Sequence, residues 1–266
     1  MPNKTLFLRE LKANYKLLLI FAAVLTLYPV VIITMFDPKL GDSLNLMMES
    51  MPDLFAAFNM QNPGTTLLDF LINYLYGFLL LIFPMIFFII LANKLVARYV
   101  DRGSMVYLIA SPHRRSRIVF TQGVFLAAAS LVLAAYVTVL CILVCQAAFP
   151  GELDISGFVM VNLGLWGLHL FLAGLCFCFS CLFNDTRIST GLGAGCCIAF
   201  VLIQMLSQVG DKLDFLKYAT PLTLFDPNRL AQSEPEAWMY TGILYAAGIL
   251  FFGIGIGAFA KRDLTL

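Results

Sequence analysis

The sequence predicts an all-α, polytopic membrane protein with six transmembrane helices, an N-terminal interfacial helix and a short cytoplasmic helix between the second and third spans. Three observations carry this prediction. Of 266 residues, 61% are hydrophobic and only 12% are charged, about half the charged share of ~25% in a typical soluble domain. The apolar residues gather into six runs of about 20 residues or more, long enough to cross a hydrocarbon core ~30 Å thick. Of the 17 lysines and arginines, only Lys39, Lys212, Lys217 and Arg229 fall in loops on one side. The rest lie on the other side, which the positive-inside rule makes cytoplasmic together with both termini. A multi-pass protein of the cell membrane is therefore expected, forming one domain over residues 1–266.

The elements follow in order. Residues 3–16 are charged, with Leu8, Leu11 and Tyr15 at helical spacing and Arg9, Lys12 and Lys16 on another arc. That pattern predicts a helix lying on the membrane surface. The first span is expected over 17–36, kinked at Pro29. The run is too long for a signal peptide, and no Ala-x-Ala site follows it. Residues 37–66 are polar, yet Leu44, Met47, Met48, Met51, Leu54, Phe55 and Phe58 form an amphipathic stripe. It predicts a helix over 42–58 resting on the outer membrane face, with a wall or lid for a path through the spans as the bolder alternative.

The second span is expected over 67–92, with Asn73, Tyr74 and Tyr76 near one end and Pro84 inside. A third span over 118–148 and a fourth over 157–183 follow. The tight turn Asn184-Asp-Thr-Arg187 leads into a fifth over 189–208. Residues 209–236 are polar and broken by Pro221, Pro227 and Pro235. A sixth span over 237–260 ends at Lys261-Arg262-Asp263. No internal repeat or low-complexity stretch is present.

The loop over 94–117 organises the chain. Inside it an apolar patch, Met105 to Ala110, starts after Gly103-Ser104 and stops at Pro112. Ser104 suits an N-cap, and a proline ends a helix near the preceding residue. The resulting helix of roughly 8 residues is only ~12 Å long, too short to span a bilayer. It is also too apolar to stay bare in water, so it must dock. Two partners suit it. One is anionic headgroups, met by Arg98, Arg102, Arg114, Arg115 and Arg117; the other is a groove on a soluble protein.

The run Asp101-Arg-Gly-Ser-(x)3-Leu108-Ile-Ala-Ser-Pro112-(x)2-Arg115 resembles the loop of type-2 ABC exporter permeases, the ABC-2 class. There the pattern is acidic-x-Gly-Thr, then Leu-Leu, then small-x-Pro and a basic residue. Ser104 stands for Thr and Asp101 for Glu, which keeps the hydroxyl and the carboxylate. The amphipathic outer piece and the proline-broken segment before the last span are also similar to the family. The resemblance implies a permease that pairs with a second permease, a copy or a relative, and with cytoplasmic ATPase subunits that bind the ATP. Coupling to the ATPase would then fall to Asp101, Arg102, Gly103, Ser104, Met105, Tyr107, Leu108, Ile109, Pro112 and Arg115. Candidate groups lining a translocation path are Asn73, Tyr74, Tyr76 and Tyr136. No residue of the chain is expected to perform chemistry or hold a cofactor. Lipid, peptide, drug and polysaccharide precursor all remain open as substrate.

Other chemistries are excluded or weakened. A net charge of +1 leaves no footprint for nucleic acid. The seven cysteines lie inside apolar runs and are expected as free thiols. Cys178-(x)2-Cys181 lacks companion ligands, because the only histidines are His113 and His169. No phosphate-binding Gly-Lys pair occurs, and Gly253-Ile-Gly-Ile-Gly257 falls inside a span and not after a strand. Gly191-(x)3-Gly195 and Gly253-(x)3-Gly257 are expected as seams for helix packing, within one chain or between two. His169 lies mid-span, where an ionisable group is functional by default. No mid-span carboxylate accompanies it, so a neutral, hydrogen-bonded imidazole is expected. A membrane enzyme would need converging catalytic pairs that the loops do not offer. A passive channel or scaffold would not need an apolar docking helix.

Overall fold

A computed structural model describes residues 2–37, 49–52, 66–105, 114–209 and 211–262. Among these no strand occurs, and six helical passages are long and apolar enough to cross a membrane. The first is α1, Lys4–Thr34. The second is Leu67–Asp101, assembled from α2 (Leu67–Leu71), a π-turn (Ile72–Tyr76), α3 (Leu79–Leu95) and α4 (Ala97–Asp101). Then come α5 (Arg115–Ala148), α6 (Ile155–Leu182) and α7 (Thr186–Ser207). Two 3-10 segments, Asp211–Ala219 and Pro221–Leu224, and the short α8, Pro227–Ala231, precede α9, Pro235–Lys261. The expected outer helix over 42–58 lies outside the described residues, apart from residues 49–52.

The expected surface helix and first span are one continuous helix. No glycine or proline falls between Lys4 and Tyr28, so nothing in the backbone breaks it. Asn3 caps it, its side-chain oxygen accepting from the Thr5 and Leu6 amides at 3.1 and 3.3 Å. The Asn3 amide donates to Thr121 Oγ1 on α5 at 2.9 Å, which ties the start of α1 to the third span. Leu8, Leu11 and Tyr15 point away from the bundle, as a membrane-surface face would. The buried stripe of that segment is instead Leu6, Glu10 and Asn14.

The central element is α6. In its most apolar stretch 83% is buried, against 17% for α1 and 22% for both α7 and α9. The outer helices turn Leu19, Ile20, Leu143, Leu202, Ile249 and Leu250 outward, as lipid contact requires. Helices approach closely where side chains vanish. A Cβ on Gly174 of α6 would lie 2.6 Å from the Gly248 carbonyl of α9, and one on Gly248 would lie 2.9 Å from the Leu170 carbonyl carbon. The expected seams sit elsewhere: Gly191, Gly195, Gly253 and Gly257 meet nothing within 4 Å. Of the Gly253–Gly257 run only Gly255 faces α6, 3.2 Å from the Cys178 Cα. Gly248 and Gly255 are seven residues apart and share one face, whereas Gly253 and Gly257 lie on another.

The second span departs most from its expected continuity over 67–92. The π-turn at Ile72–Tyr76 and a turn at Gly77-Phe78 interrupt it, and Ile72, Asn73, Leu75 and Tyr76 are all buried there. Further along, Pro84 has no N–H for the Leu80 carbonyl four residues back. In hydrocarbon that carbonyl needs another donor. His169 on α6 supplies it, Nε2 lying 2.8 Å from the Leu80 oxygen. A carbonyl only accepts, so Nε2 carries a proton, and the ring packs edge-on to Phe88 at 5.3 Å.

At the loop-bearing end the helices are cross-tied. Arg262, after α9, donates to the Cys181 carbonyl and to Asn184 Oδ1, capping α6. Asn93 on α3 donates to Thr190 on α7. At the opposite end Asp226 caps α8, and Arg229 pairs with Asp226, Glu234 and Glu236 at 3.3, 3.8 and 3.4 Å. Leu230 of α8 is fully buried, filling the notch left by Gly164 on α6.

The His169 arrangement makes a prediction. Gln at this position retains a donor at the reach of Nε2, whereas Leu leaves the Leu80 carbonyl unpaired at a cost of about 1–3 kcal/mol. Thermal unfolding in detergent should therefore place His169→Gln near wild type and His169→Leu clearly below it. Equal midpoints for the two variants would remove the role assigned to the imidazole.

Candidate functional site: the loop after the second span

The loop's lead-in is built from a broken helix. After α3 the backbone turns at Val96, with φ −126° and ψ −69°, and α4 adds little more than one turn. Gly103 then takes φ +65°, a left-handed conformation that glycine adopts without the steric cost of a Cβ. Its amide donates to the Val100 carbonyl at 2.9 Å, and the Arg102 amide to Arg98 at 3.2 Å. The glycine of the Asp-Arg-Gly-Ser run thus ends α4. Ser104, expected to cap the following helix, has its hydroxyl donating back to the Tyr99 carbonyl at 3.2 Å. Its side chain closes the turn behind it.

Met105, the first residue of the apolar patch, is wholly buried with Val96, Ala97 and Val100. Asp101, Arg102, Gly103 and Arg115 are exposed. Tyr107, Leu108, Ile109 and Pro112 lie outside the described residues.

Beside this turn runs the start of α1. Glu10 is only 1% exposed. The Tyr99 hydroxyl donates to its Oε1 at 2.9 Å, and the Asn14 amide donates to its Oε2 at 3.2 Å and to its backbone carbonyl at 3.0 Å. Burial pushes the Glu10 carboxyl above its ordinary range, opposed by the Tyr99 bond, the nearby Arg9 charge and Asn14. Between α1 and α4 lies a cavity of about 240 Å³, walled by Glu10, Asn14, Lys94, Arg98, Tyr99 and Arg102 together with Ala13 and Ser104. Met105 thus sits in the core cluster, and the Tyr99–Glu10 bond joins α4 to α1.

The four candidate path residues divide. Asn73 and Tyr76 are buried in the π-turn, and Tyr74 is half-buried with its ring 4.5 Å from that of Phe70. Tyr76 also walls a smaller cavity, about 40 Å³, with Gln204, Gln208, Leu168, Leu222 and Phe225. Tyr136 sits apart on α5. Thr26 spends its hydroxyl proton on the Ala22 carbonyl at 2.7 Å, so the Tyr136 hydroxyl donates to Thr26 Oγ1 at 2.6 Å. It links the first and third spans.

Six apolar passages, with this loop between the second and the third, form the frame against which the sequence comparison falls. The family model described as ABC-2 family transporter protein matches residues 10–264, nearly the whole chain. The chain belongs to the ABC-2 transporter family. Comparison with the curated proteins gives no match. The permease is thus a membrane transport subunit, and the loop resemblance belongs to a family that the rest of the chain shares.

Sequence reasoning missed Glu10, Asn14 and Tyr99. The signal was present in the i, i+4, i+8 spacing of Leu6, Glu10 and Asn14, which shares one helix face. Two of its three members are polar, so the more apolar arc of Leu8, Leu11 and Tyr15 masked it. The Tyr99–Glu10 contact generates a measurable expectation. Tyr99→Phe leaves a buried carboxyl oxygen without its donor, and Glu10→Gln weakens the same bond from the other side. A double-mutant cycle on thermal stability of the permease should give a coupling of about 0.5–3 kcal/mol. Additive effects would show that the two helices are not joined here.

Proposed function

We propose that the permease is the membrane-spanning subunit of an ATP-driven exporter and that its 94–117 loop is the coupling element. A cytoplasmic ABC ATPase binds the ATP, docks on the apolar patch from Tyr107 to Ile109, and passes its motion to the spans. The observation that carries this reading is the anchoring of the loop's lead-in. A segment that transmits force must be rigidly joined to what it moves. The buried Met105 and the Tyr99–Glu10 bond meet that need on two spans at once. Met105 then serves as the anchor, and the exposed Asp101, Arg102 and Arg115 are left for polar contact with the partner.

The energy enters as differential contact of the ATPase with two arrangements of the spans. A second permease chain completes the pathway, covering apolar faces that α1, α7 and α9 leave open. Asn73, Tyr74, Tyr76 and Tyr136 are the proposed path-lining groups. The break of the second span at Asn73–Tyr76 supports this for the first three, because π-turns recur where a helix serves a function. Both termini and the loop are cytoplasmic in this reading, supported by the one-sided distribution of lysine and arginine.

Two measurements test it. Each large side chain of the patch supplies roughly 1.5–3 kcal/mol of adhesion when buried. Leu108→Asp should therefore cut recovery of a co-expressed ABC ATPase in a detergent pull-down while the permease still inserts. Equal recovery by wild type and variant would sink the coupling role. For orientation, Ser233→Cys should react with a membrane-impermeant maleimide added outside intact cells, and Ser116→Cys should not. The reverse labelling would invert the topology and remove the loop from the ATPase's reach.

A further inference from the structure

Three cations flank the cavity between α1 and α4, and the coupling reading uses only one of them, Arg102. Lys94 at the end of α3, Arg98 on α4 and Arg102 just after it all line the cavity. Among the described residues none of the three forms an ion pair, whereas Arg229, at the other end of the bundle, does. The one carboxylate in the cavity wall, Glu10, has both oxygens engaged by Tyr99 and Asn14. The cavity is thus net cationic, with space of about 240 Å³.

Its depth narrows the choice of anion. Asn14 stands three residues before the apolar run that opens at Leu17, and Lys94 two residues after the run that closes at Ala92. At 1.5 Å per helical residue Asn14 and Lys94 lie ~3–5 Å outside the hydrocarbon edge, within the headgroup layer, whereas Arg98 and Arg102 follow beyond the break at Val96. A soluble partner meets the loop from the water side. A headgroup reaches this depth from the bilayer itself, and the leaflet on the cytoplasmic side is the anionic one.

We infer that this cavity binds a phosphate ester, and specifically the phosphate of an anionic phospholipid headgroup held by Lys94, Arg98 and Arg102. The bound lipid would pack between α1 and the lead-in of the loop, so it would stiffen the same junction that Tyr99 and Glu10 form. The inference rests on the cavity, its charges and the cytoplasmic orientation proposed above, and stands whether or not the loop docks on an ATPase.

The test uses the full-length protein, delipidated in detergent. Phosphatidylglycerol, phosphatidylcholine or inorganic phosphate is then added, with retained lipid read by native mass spectrometry and stability by thermal unfolding. Wild type should retain phosphatidylglycerol and gain stability from it, with little effect of phosphatidylcholine or inorganic phosphate. Lys94→Gln/Arg98→Gln and Arg98→Gln/Arg102→Gln should each weaken retention on the order of tenfold or more. Arg114→Gln/Arg115→Gln, which removes the same charge outside the cavity, should not. Equal retention by the cavity variants and wild type would overturn the site. Stabilisation by inorganic phosphate as large as that by phosphatidylglycerol would assign a soluble anion and overturn the lipid. Unchanged lipid retention, with loss of ATPase recovery in the cavity variants, would assign the cations to the partner protein and overturn the proposal as well.

Discussion

The close approach of α6 and α9 is the contact on which the other spans depend. Gly174 and Gly248 leave backbone facing backbone, and no side chain larger than hydrogen fits either position without displacing a carbonyl. Lipid tails are as apolar as leucine, so burying more leucine offers no drive for helices to associate in a bilayer. Contact area between well-fitted surfaces does. With α9 pressed against it, α6 becomes the central post. The second, third and fifth spans pack on its remaining sides, while α1 rests mainly on α5.

A bilayer also forbids loose backbone. Pro84 breaks the hydrogen-bond ladder of α3 and leaves the Leu80 carbonyl open, and His169 closes it from α6. The mid-span histidine thus serves as a donor to the backbone. Its place on the central helix means that the repair also fixes the second span against α6. Arg262 performs a comparable task for α6 itself, donating to its terminal Cys181 carbonyl from the end of α9. At Leu80 and Cys181 the bond that satisfies a helix break or end is therefore interhelical, which ties α6 to α3 and to the end of α9.

That connection gives the loop its significance. A flexible tether between the second and third spans would absorb motion. Here Gly103 ends α4 sharply, Ser104 locks the turn to Tyr99, Met105 is sunk into the core, and Tyr99 holds Glu10 on α1. The first two spans share a polar junction there, lined by Lys94, Arg98 and Arg102. Membrane composition and loop movement would act on the same few residues.

The sequence by itself determined the number of long apolar passages and the all-α class. Transfer into hydrocarbon depends on composition summed over about 20 residues, and that sum is written in the chain. The turn at Gly103 was legible too, since a lone glycine between charged residues and an apolar patch marks a local backbone requirement. Rotation of each helix about its own axis was not legible. The spans α3, α5, α6 and α9 are apolar all round, so no amphipathic stripe says which side faces a neighbour. Hence the glycines that make the seam are Gly174 and Gly248, and not the more conspicuous pairs at Gly191–Gly195 and Gly253–Gly257. The same reason hid the pairing of Glu10 with Tyr99 and the burial of Met105. Those contacts join residues distant in the chain, and only the packing of one helix against another, with its demand that each buried polar atom find a partner, decided them.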